Sequence, residues 1–222
     1  MTLRLIVFDV DGTLVDSQAH ILASMQGAFA EVGRQMPPRA EALSVVGLSL
    51  SLALARLVPD AGADEVEAMT EAYKAAFQRI RQSGEGASPL FPGTREMLDR
   101  LAGQEGTVLG LATGKSRRGL DHLIALHDLG RYFATQQVAD DHPSKPHPSM
   151  LRAALEETGA RAADAAMIGD TVFDIDMGRA ADLRTIGVRW GYHRPEMLAA
   201  ADALIDSWAE LPAALALDDP AP

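Results

Sequence analysis

Cysteine is missing from all 222 residues, and its absence removes disulfides, thiolate nucleophiles and cysteine-ligated zinc or iron–sulfur centres together. Whatever chemistry the chain performs falls to oxygen and nitrogen groups. Long apolar runs are missing too. Residues 3–8 are mostly apolar, but Arg4 interrupts them and Asp9 stops them, which is too short for a signal-peptide core or a membrane span. The expected location is therefore the cytoplasm, with no membrane partner. Positive charge is in deficit: 20 Lys and Arg stand against 31 Asp and Glu, a net charge of -11. A surface of that sign repels nucleic acid and anionic lipid. Lysine is scarce, with only Lys74, Lys115 and Lys145 in the chain, so its placement carries information.

What is present describes a globular protein. Hydrophobic residues make up 47% and charged residues 23%, enough apolar material for one well-buried core, or for a core with a smaller inserted domain. Short β-branched-rich runs recur at 3–8, 108–112, 134–138, 165–168 and 185–188. Most of them end in Gly or acidic residues, as buried strands running into turns do. Helical spacing fills the gaps at 94–101, 117–126, 148–158 and 172–181, with Gly159 as a helix stop. Strands alternating with helices predict a parallel sheet covered on both faces. Residues 18–82 break the rhythm. Ile21, Met25, Ala28, Phe29 and Val32 form one helical stripe closed by Gly33, Leu50, Leu54 and Leu57 start a second, and a third helix is expected over 64–81. The Gly/Ser/Pro-rich stretch 83–89 reads as a hinge back to the core, and 217–222 as a loose tail. The expected fold class is α/β, a Rossmann-like parallel sheet flanked by helices with a small α-helical domain inserted after strand one. The core then comprises 1–16 and 89–222, and the insertion 17–88.

In a parallel sheet, the loops after the strands gather in one crevice. Here they deliver Asp9-Val10-Asp11-Gly12-Thr13, Thr113-Gly114-Lys115, Ser144-Lys145-Pro146 and Gly169-Asp170-Thr171, with Asp174 one helical turn on. Asp9 and Asp11 sit two apart at a strand end, where an extended backbone points both the same way. With Asp170 and Asp174 they make a carboxylate set with no His or Cys interleaved, which suits Mg²⁺ better than zinc or copper. Lys145, with the hydroxyl and amides of Thr113-Gly114, suits an anionic group, and phosphate is the natural candidate. A carboxylate nucleophile then makes sense, because an acyl phosphate splits ester hydrolysis into two in-line transfers. The second carboxylate, Asp11, can protonate the leaving alkoxide and afterwards activate water.

Asp-x-Asp-Gly-Thr after an amino-terminal strand, then Thr-Gly, Lys-Pro and Gly-Asp-Thr-x-x-x-Asp in this order, resembles the haloacid dehalogenase superfamily over nearly the whole chain. The resemblance implies Asp9 as nucleophile, Asp11 as acid/base, and Thr113 and Lys145 as phosphoryl-binding residues. It also implies Mg²⁺ held by Asp9, Asp170 and the backbone carbonyl of Asp11, with Asp174 in support. The helical insertion resembles that family's cap domain, which closes over the site and chooses the substrate. Ala112-Thr113-Gly114-Lys115-Ser116, Val138-Ala139-Asp140-Asp141 and Gly187-Val188-Arg189-Trp190-Gly191-Tyr192 look like the phosphoglycolate phosphatase branch. That branch implies a small phosphorylated acid as partner, with Lys115 and Arg117 as contacts for its carboxylate. Monomer and homodimer are both compatible with the sequence.

Plainer readings compete at several positions. Asp174 could serve only as a helix cap. His142 and His147, flanking Pro143 and Pro146, read as turn residues rather than as a zinc pair. Trp190 and Tyr192 read as core or rim aromatics, His20 is balanced between packing and lining the mouth, and the helical stripes of the insertion read as core packing. Among whole functions, the first rival is a phosphomutase similar to β-phosphoglucomutase. Such mutases tend to place a basic residue after a Gly-x-Ser step, whereas Leu50 follows Gly47-Leu48-Ser49 here. Dehalogenation needs no second aspartate, phosphonate hydrolysis would rely on Lys74, and a non-catalytic phosphate-binding protein would typically lack one of the motif carboxylates. None is missing.

Overall fold

The computed structural model describes residues 3–82 and 88–215. Most of the expected hinge and the expected tail, 217–222, lie outside the described residues. The core is one six-stranded sheet in the order β3-β2-β1-β4-β5-β6. Its strands are β1 (Arg4–Phe8), β2 (Thr107–Thr113), β3 (Phe133–Val138), β4 (Ala165–Gly169), β5 (Arg184–Val188) and β6 (Ala203–Ile205), and every pairing is parallel. β1 is central: Ile6 pairs with Leu109 of β2 on one side and with Ala166 of β4 on the other. Strand order reverses beside it, which opens a crevice at the carboxyl end of the sheet.

The alternation of β1 explains its uninterrupted apolar sequence. Ile6 and Phe8 enter one buried cluster with Leu98, Leu120, Trp208 and Leu211, while Leu5 and Val7 enter a second with Met150, Leu151 and Met177. Successive side chains of a strand face opposite ways, so a strand covered on both faces has no polar side to show. The covering helices are α5 (Thr94–Ala102) and α6 (Arg117–His127) over the first cluster, and α7 (Ser149–Thr158) and α8 (Val172–Ala180) over the second. α7 stops at Gly159, whose φ of 72° suits the left-handed turn that closes a helix. A last short helix, α9 (Leu211–Ala214), packs Leu211 under Trp208.

Between β1 and α5 lie four helices: α1 (Gln18–Glu31), α2 (Arg39–Leu43), α3 (Leu50–Leu57) and α4 (Ala63–Gln82). One core, around Ile21, Met25, Leu43 and Val46, takes in Phe173 of α8, while a second, around Phe29, Leu54 and Met69, lies within the four helices. Three of these helices match the expectation within about two residues. α2 was not expected, because five residues after Pro37-Pro38 are too few for a helical period to register. β6, at three residues, escaped notice for the same reason. Among the described residues, no helix is long and apolar enough to cross a membrane.

Candidate active site

The ladder of β1 carries on into its loop. The Asp9 amide donates to the carbonyl of Ile168 at 2.9 Å, and the chain then folds back so that the amides of Leu14 and Val15 both donate to the carbonyl of Val10 at 3.0 Å. Gly12 makes the reversal possible with φ of 87°, a backbone conformation that L side chains avoid. A Cβ at Gly12 would also strike the Asp170 carboxylate, so the first motif loop lies directly against the fourth. Thr13 completes the contact, its hydroxyl donating to Asp170 Oδ1 at 3.0 Å.

Lys145 stands at the centre of the acidic cluster. Its Nζ donates to Asp9 Oδ1 at 2.7 Å and to Asp174 Oδ1 at 2.6 Å, and the residue is 1% exposed. Asp174 does both jobs that the sequence left open. Its Oδ2 accepts from the Thr171 amide at 3.0 Å and from the Thr171 hydroxyl at 2.7 Å, forming a capping box at the start of α8, while its other oxygen holds Lys145. Asp170 Oδ2 accepts from the Tyr192 amide at 2.8 Å. Carboxylate oxygens of Asp9, Asp170 and Asp174 all lie within 4.8 Å of one another, and Asp9 Oδ2 is buried with no hydrogen-bond partner among the described residues.

One ammonium cannot balance three buried carboxylates. Burial pushes the Asp9 carboxyl up to about 7; Lys145 pulls against this, and Asp174 and Asp11 add to it. Burial, then Asp9 and Asp174, raise Asp170 well above the usual carboxylate range. Burial opposes the charge on Lys145, yet Asp174 and Asp9 hold it above the ordinary lysine range. Lys145 is therefore a fixed cation, shared between two carboxylates, and ionising all three acids would leave a net negative charge. A hard divalent cation answers that excess, and an all-oxygen donor set with one orphaned oxygen fits it.

Asp11 is held apart from this cluster. Its Oδ1 accepts from the Ser17 hydroxyl, and Lys115 Nζ donates to both its oxygens at 2.8 and 2.7 Å. Ser17 is held in turn by Tyr192, whose phenol oxygen accepts from the Ser17 amide at 3.1 Å. On the second loop, Thr113 is buried and its Oγ1 accepts from the Lys115 amide at 3.2 Å. A Cβ at Gly114 would come within 2.6 Å of the Leu48 carbonyl and 2.8 Å of the Gly47 carbonyl. The helical insertion thus rests its own backbone on the second motif loop, and only glycine leaves room. The Ser49 amide makes a further tie, donating to Ser144 Oγ at 2.8 Å. Together the two parts enclose a cavity of about 390 Å³ that reaches from Asp9, Asp11 and Thr113 to Phe77 and Arg81.

Residues 6–188 match the sequence model of the haloacid dehalogenase-like hydrolases. The chain belongs to that family. It is 35% identical over 212 residues to a Dickeya dadantii protein named "Probable phosphatase IndB", covering 93% of this chain and 91% of the other. It is 29% identical over 215 residues to a phosphoglycolate phosphatase of Pectobacterium atrosepticum, covering 94% and 91%. Among solved structures, one named "Putative haloacid dehalogenase-like hydrolase from Bacteroides fragilis" superposes with a TM-score of 0.85 at 22% identity, over 95% of this chain and 100% of that one. A structure named "Putative beta-phosphoglucomutase from Bacteroides vulgatus" superposes with a TM-score of 0.81 at 25% identity, over 96% and 90%.

Within this hydrolase the strand-end motifs converge as the loops predict, and the secondary candidates sort themselves. Lys115, expected at a substrate carboxylate, lies on Asp11 instead. Arg117 turns away, donating to the Gln136 side chain at 3.2 Å and to its carbonyl at 2.7 Å, while its neighbour Arg118 lines the cavity. Helical phase decides this, because consecutive residues sit about 100° apart around the axis. His142 bonds Gln137 and Ser149, and His147 accepts from the Ser149 amide, as turn residues do. His20 packs edge-on against Phe77 and bonds Ser88. Trp190 donates to the Thr13 carbonyl at 3.1 Å and packs on Trp208. Tyr192 exceeds the rim role assigned to it, since its amide holds Asp170 and its phenol holds Ser17. A Cβ at Gly191 would strike Asp170, so the loop after β5 supports the acidic cluster, a role that its resemblance to the phosphoglycolate phosphatase branch did not disclose. The stripe of α4 is likewise not only core: Tyr73 and Phe77 line the cavity.

Proposed function

We propose that this hydrolase is a Mg²⁺-dependent phosphatase that cleaves a small phosphate monoester through a phosphoaspartate at Asp9, with residues 17–88 serving as its cap. The observation that carries the reading is the asymmetry of Asp9: Lys145 fixes Oδ1, while Oδ2 is buried without a partner. A carboxylate held on one oxygen and free on the other is oriented for attack, and burial keeps water from competing with it. Asp9 and Asp170, with the backbone carbonyl of Asp11, would hold the cation, which supplies charge neutralisation for an incoming phosphate dianion. Asp174 has both oxygens engaged, and its role is to position Lys145.

In the first transfer, an Asp9 oxygen forms a bond to phosphorus as the ester oxygen leaves, taking a proton from the Asp11 carboxyl. In the second, Asp11 accepts a proton from water, whose oxygen attacks the same phosphorus and releases inorganic phosphate from Asp9. Ser17 and Lys115 hold Asp11 at the cavity wall, where leaving group and water must both pass. Thr113, the Gly114 backbone and Lys145 would receive the phosphoryl oxygens. The names of the relatives support a phosphatase, and several point to phosphoglycolate. The mutase alternative has support from a structural neighbour, but Leu50 stands where a basic residue would grip a distal phosphate. Phosphate release from a panel of esters, with and without Mg²⁺, tests the reading. Metal-dependent turnover of monoesters is expected, whereas turnover only with an added sugar bisphosphate would replace phosphatase by mutase.

A further inference from the structure

The far end of the cavity carries charge that nothing described neutralises. α4 turns one stripe toward it: Thr70, Tyr73, Lys74, Phe77, Gln78 and Arg81, spaced by the three- and four-residue steps that keep side chains on one face. The stripe starts near the acid/base residue, for the Tyr73 phenol is raised first by burial and then by Asp11. Phe77 comes next, its ring centroid 5.4 Å from Lys115 Nζ, the same atom that holds Asp11. Arg81 follows one turn later, about 6 Å further along the axis from Phe77 and about 12 Å from Tyr73. Arg118, in the first turn of α6, lines the cavity with it.

Among the described residues neither guanidinium has an acidic group within ion-pair distance, although Asp140 also lines the cavity. Arg81 Nε is buried and unpaired among the described residues, and no ion pair among them includes Arg81 or Arg118. Burial and then Arg118 hold Arg81 below the ordinary arginine range, and His122 on the same helix is lowered by burial and by Arg81. Arg118 is exposed and so partly screened by water, but Arg81 keeps a buried, unpaired Nε beside a like charge, and an anion that joined the two would relieve both.

We infer that Arg81 and Arg118 bind a carboxylate of the substrate, and so select phosphate esters whose carboxylate is separated from the ester oxygen by a spacer longer than that of phosphoglycolate. The assignment rests on Asp9 as the site of phosphoryl transfer. In phosphoglycolate a single methylene separates the carboxylate from the ester oxygen, whereas Arg81 stands one helical turn beyond Phe77 and two beyond Tyr73 on α4. A longer spacer would cross Tyr73 and Phe77, which offer apolar contact for it.

The test is a series of ω-phosphooxy carboxylates of two to six carbons, with ω-phosphooxy alcohols of equal length as neutral-tailed controls, assayed in Mg²⁺. Wild type should reach its highest kcat/KM beyond the two-carbon member and prefer carboxylate over alcohol at that length by about tenfold or more. Arg81→Gln and Arg118→Gln should each cut that preference by about tenfold, mainly through KM, with Arg81→Lys retaining part of it. Circular dichroism establishes that each variant is folded. A maximum at phosphoglycolate, or a preference that survives both substitutions, overturns the inference while leaving the phosphatase reading intact. If wild type turns over no ester, the phosphatase reading fails, and calorimetric titration of the same carboxylates into wild type and Arg81→Gln decides this one. Weaker binding to the variant supports the anion site, and equal binding sinks it.

Discussion

The two ends of the cavity treat charge in opposite ways. At the sheet end, Lys145, Asp9, Asp170 and Asp174 are all buried, and nearly every oxygen and nitrogen has a named partner at 2.6 to 3.0 Å. At the helical end, Arg81 and Arg118 are close enough to repel each other, and among the described residues neither has an ion-pair partner. The difference separates two kinds of work. A group that must act in one orientation is over-determined by hydrogen bonds to neighbouring loops, whereas a group that waits for a ligand keeps its bonding capacity unspent.

The sharpest way to break the comparison is at Asp9. Asp9→Asn keeps the shape and the Lys145 contact but removes the proposed nucleophile, and steady-state turnover in Mg²⁺ should fall by at least about a thousandfold. Trapping of labelled phosphate on the protein should vanish with it. Retention of more than a tenth of the activity would mean that the attacking group is elsewhere. Lys145→Met asks the next question. It leaves Asp9 and Asp174 buried without their cation, and urea unfolding should show a loss of about 3–5 kcal/mol. Arg81→Met, at the other end, should change stability by less than about 1 kcal/mol, because it removes repulsion along with packing. Equal losses would erase the distinction between the two ends.

That same distinction governs what could be read from the sequence. The four strand-end motifs were legible because each is a local object: Asp9 and Asp11 occupy a strand terminus, and Thr171 with Asp174 forms a capping box within four residues. Once a parallel sheet is inferred, topology alone brings such loops together. Tyr192 was not legible as a support, since its contacts to Ser17 and Asp170 span 175 and 22 residues and need the finished fold. Arg117 and Arg118 show the limit on a finer scale. One residue of helical phase decides which guanidinium faces the cavity, and phase follows from packing that a single sequence does not display. The insertion was recognisable as helical from its apolar stripes, but a stripe does not say whether it faces a core or a cavity, and on α4 Met69 does the first and Phe77 the second.

A pH titration sharpens the contrast further. The Asp9 carboxyl is raised from 3.8 to about 7 by burial, against the pull of Lys145, and Asp170 is raised by burial and by Asp9. A carboxyl with a raised folded-state pKa favours the fold while protonated. Its contribution is complete below about pH 4 and is lost as pH rises through about 7. The melting temperature of EDTA-treated protein should therefore fall between pH 5 and pH 8, and added Mg²⁺ should raise it more at pH 8 than at pH 5. Arg81→Gln should leave that difference in place, because the charge it removes lies at the other end. A Mg²⁺ shift of the same size at both pH values would argue against cation binding at the acidic cluster.

The smallest effect concerns the link between the acidic cluster and Asp11. Tyr192 reaches both, with its amide on Asp170 Oδ2 and its phenol on Ser17, which holds Asp11. Tyr192→Phe keeps the amide and the ring and deletes only the hydroxyl, at a cost of about 1 kcal/mol for the lost hydrogen bond. If the phenol positions Asp11 through Ser17, kcat should fall severalfold with KM unchanged, since the substrate's own contacts are intact. Ser17→Ala should give the same split and combine with Tyr192→Phe less than additively, because both act through one chain of contacts. A fall in melting temperature with kcat untouched would instead leave Tyr192 as packing at the rim, and Lys115 as the group that fixes Asp11.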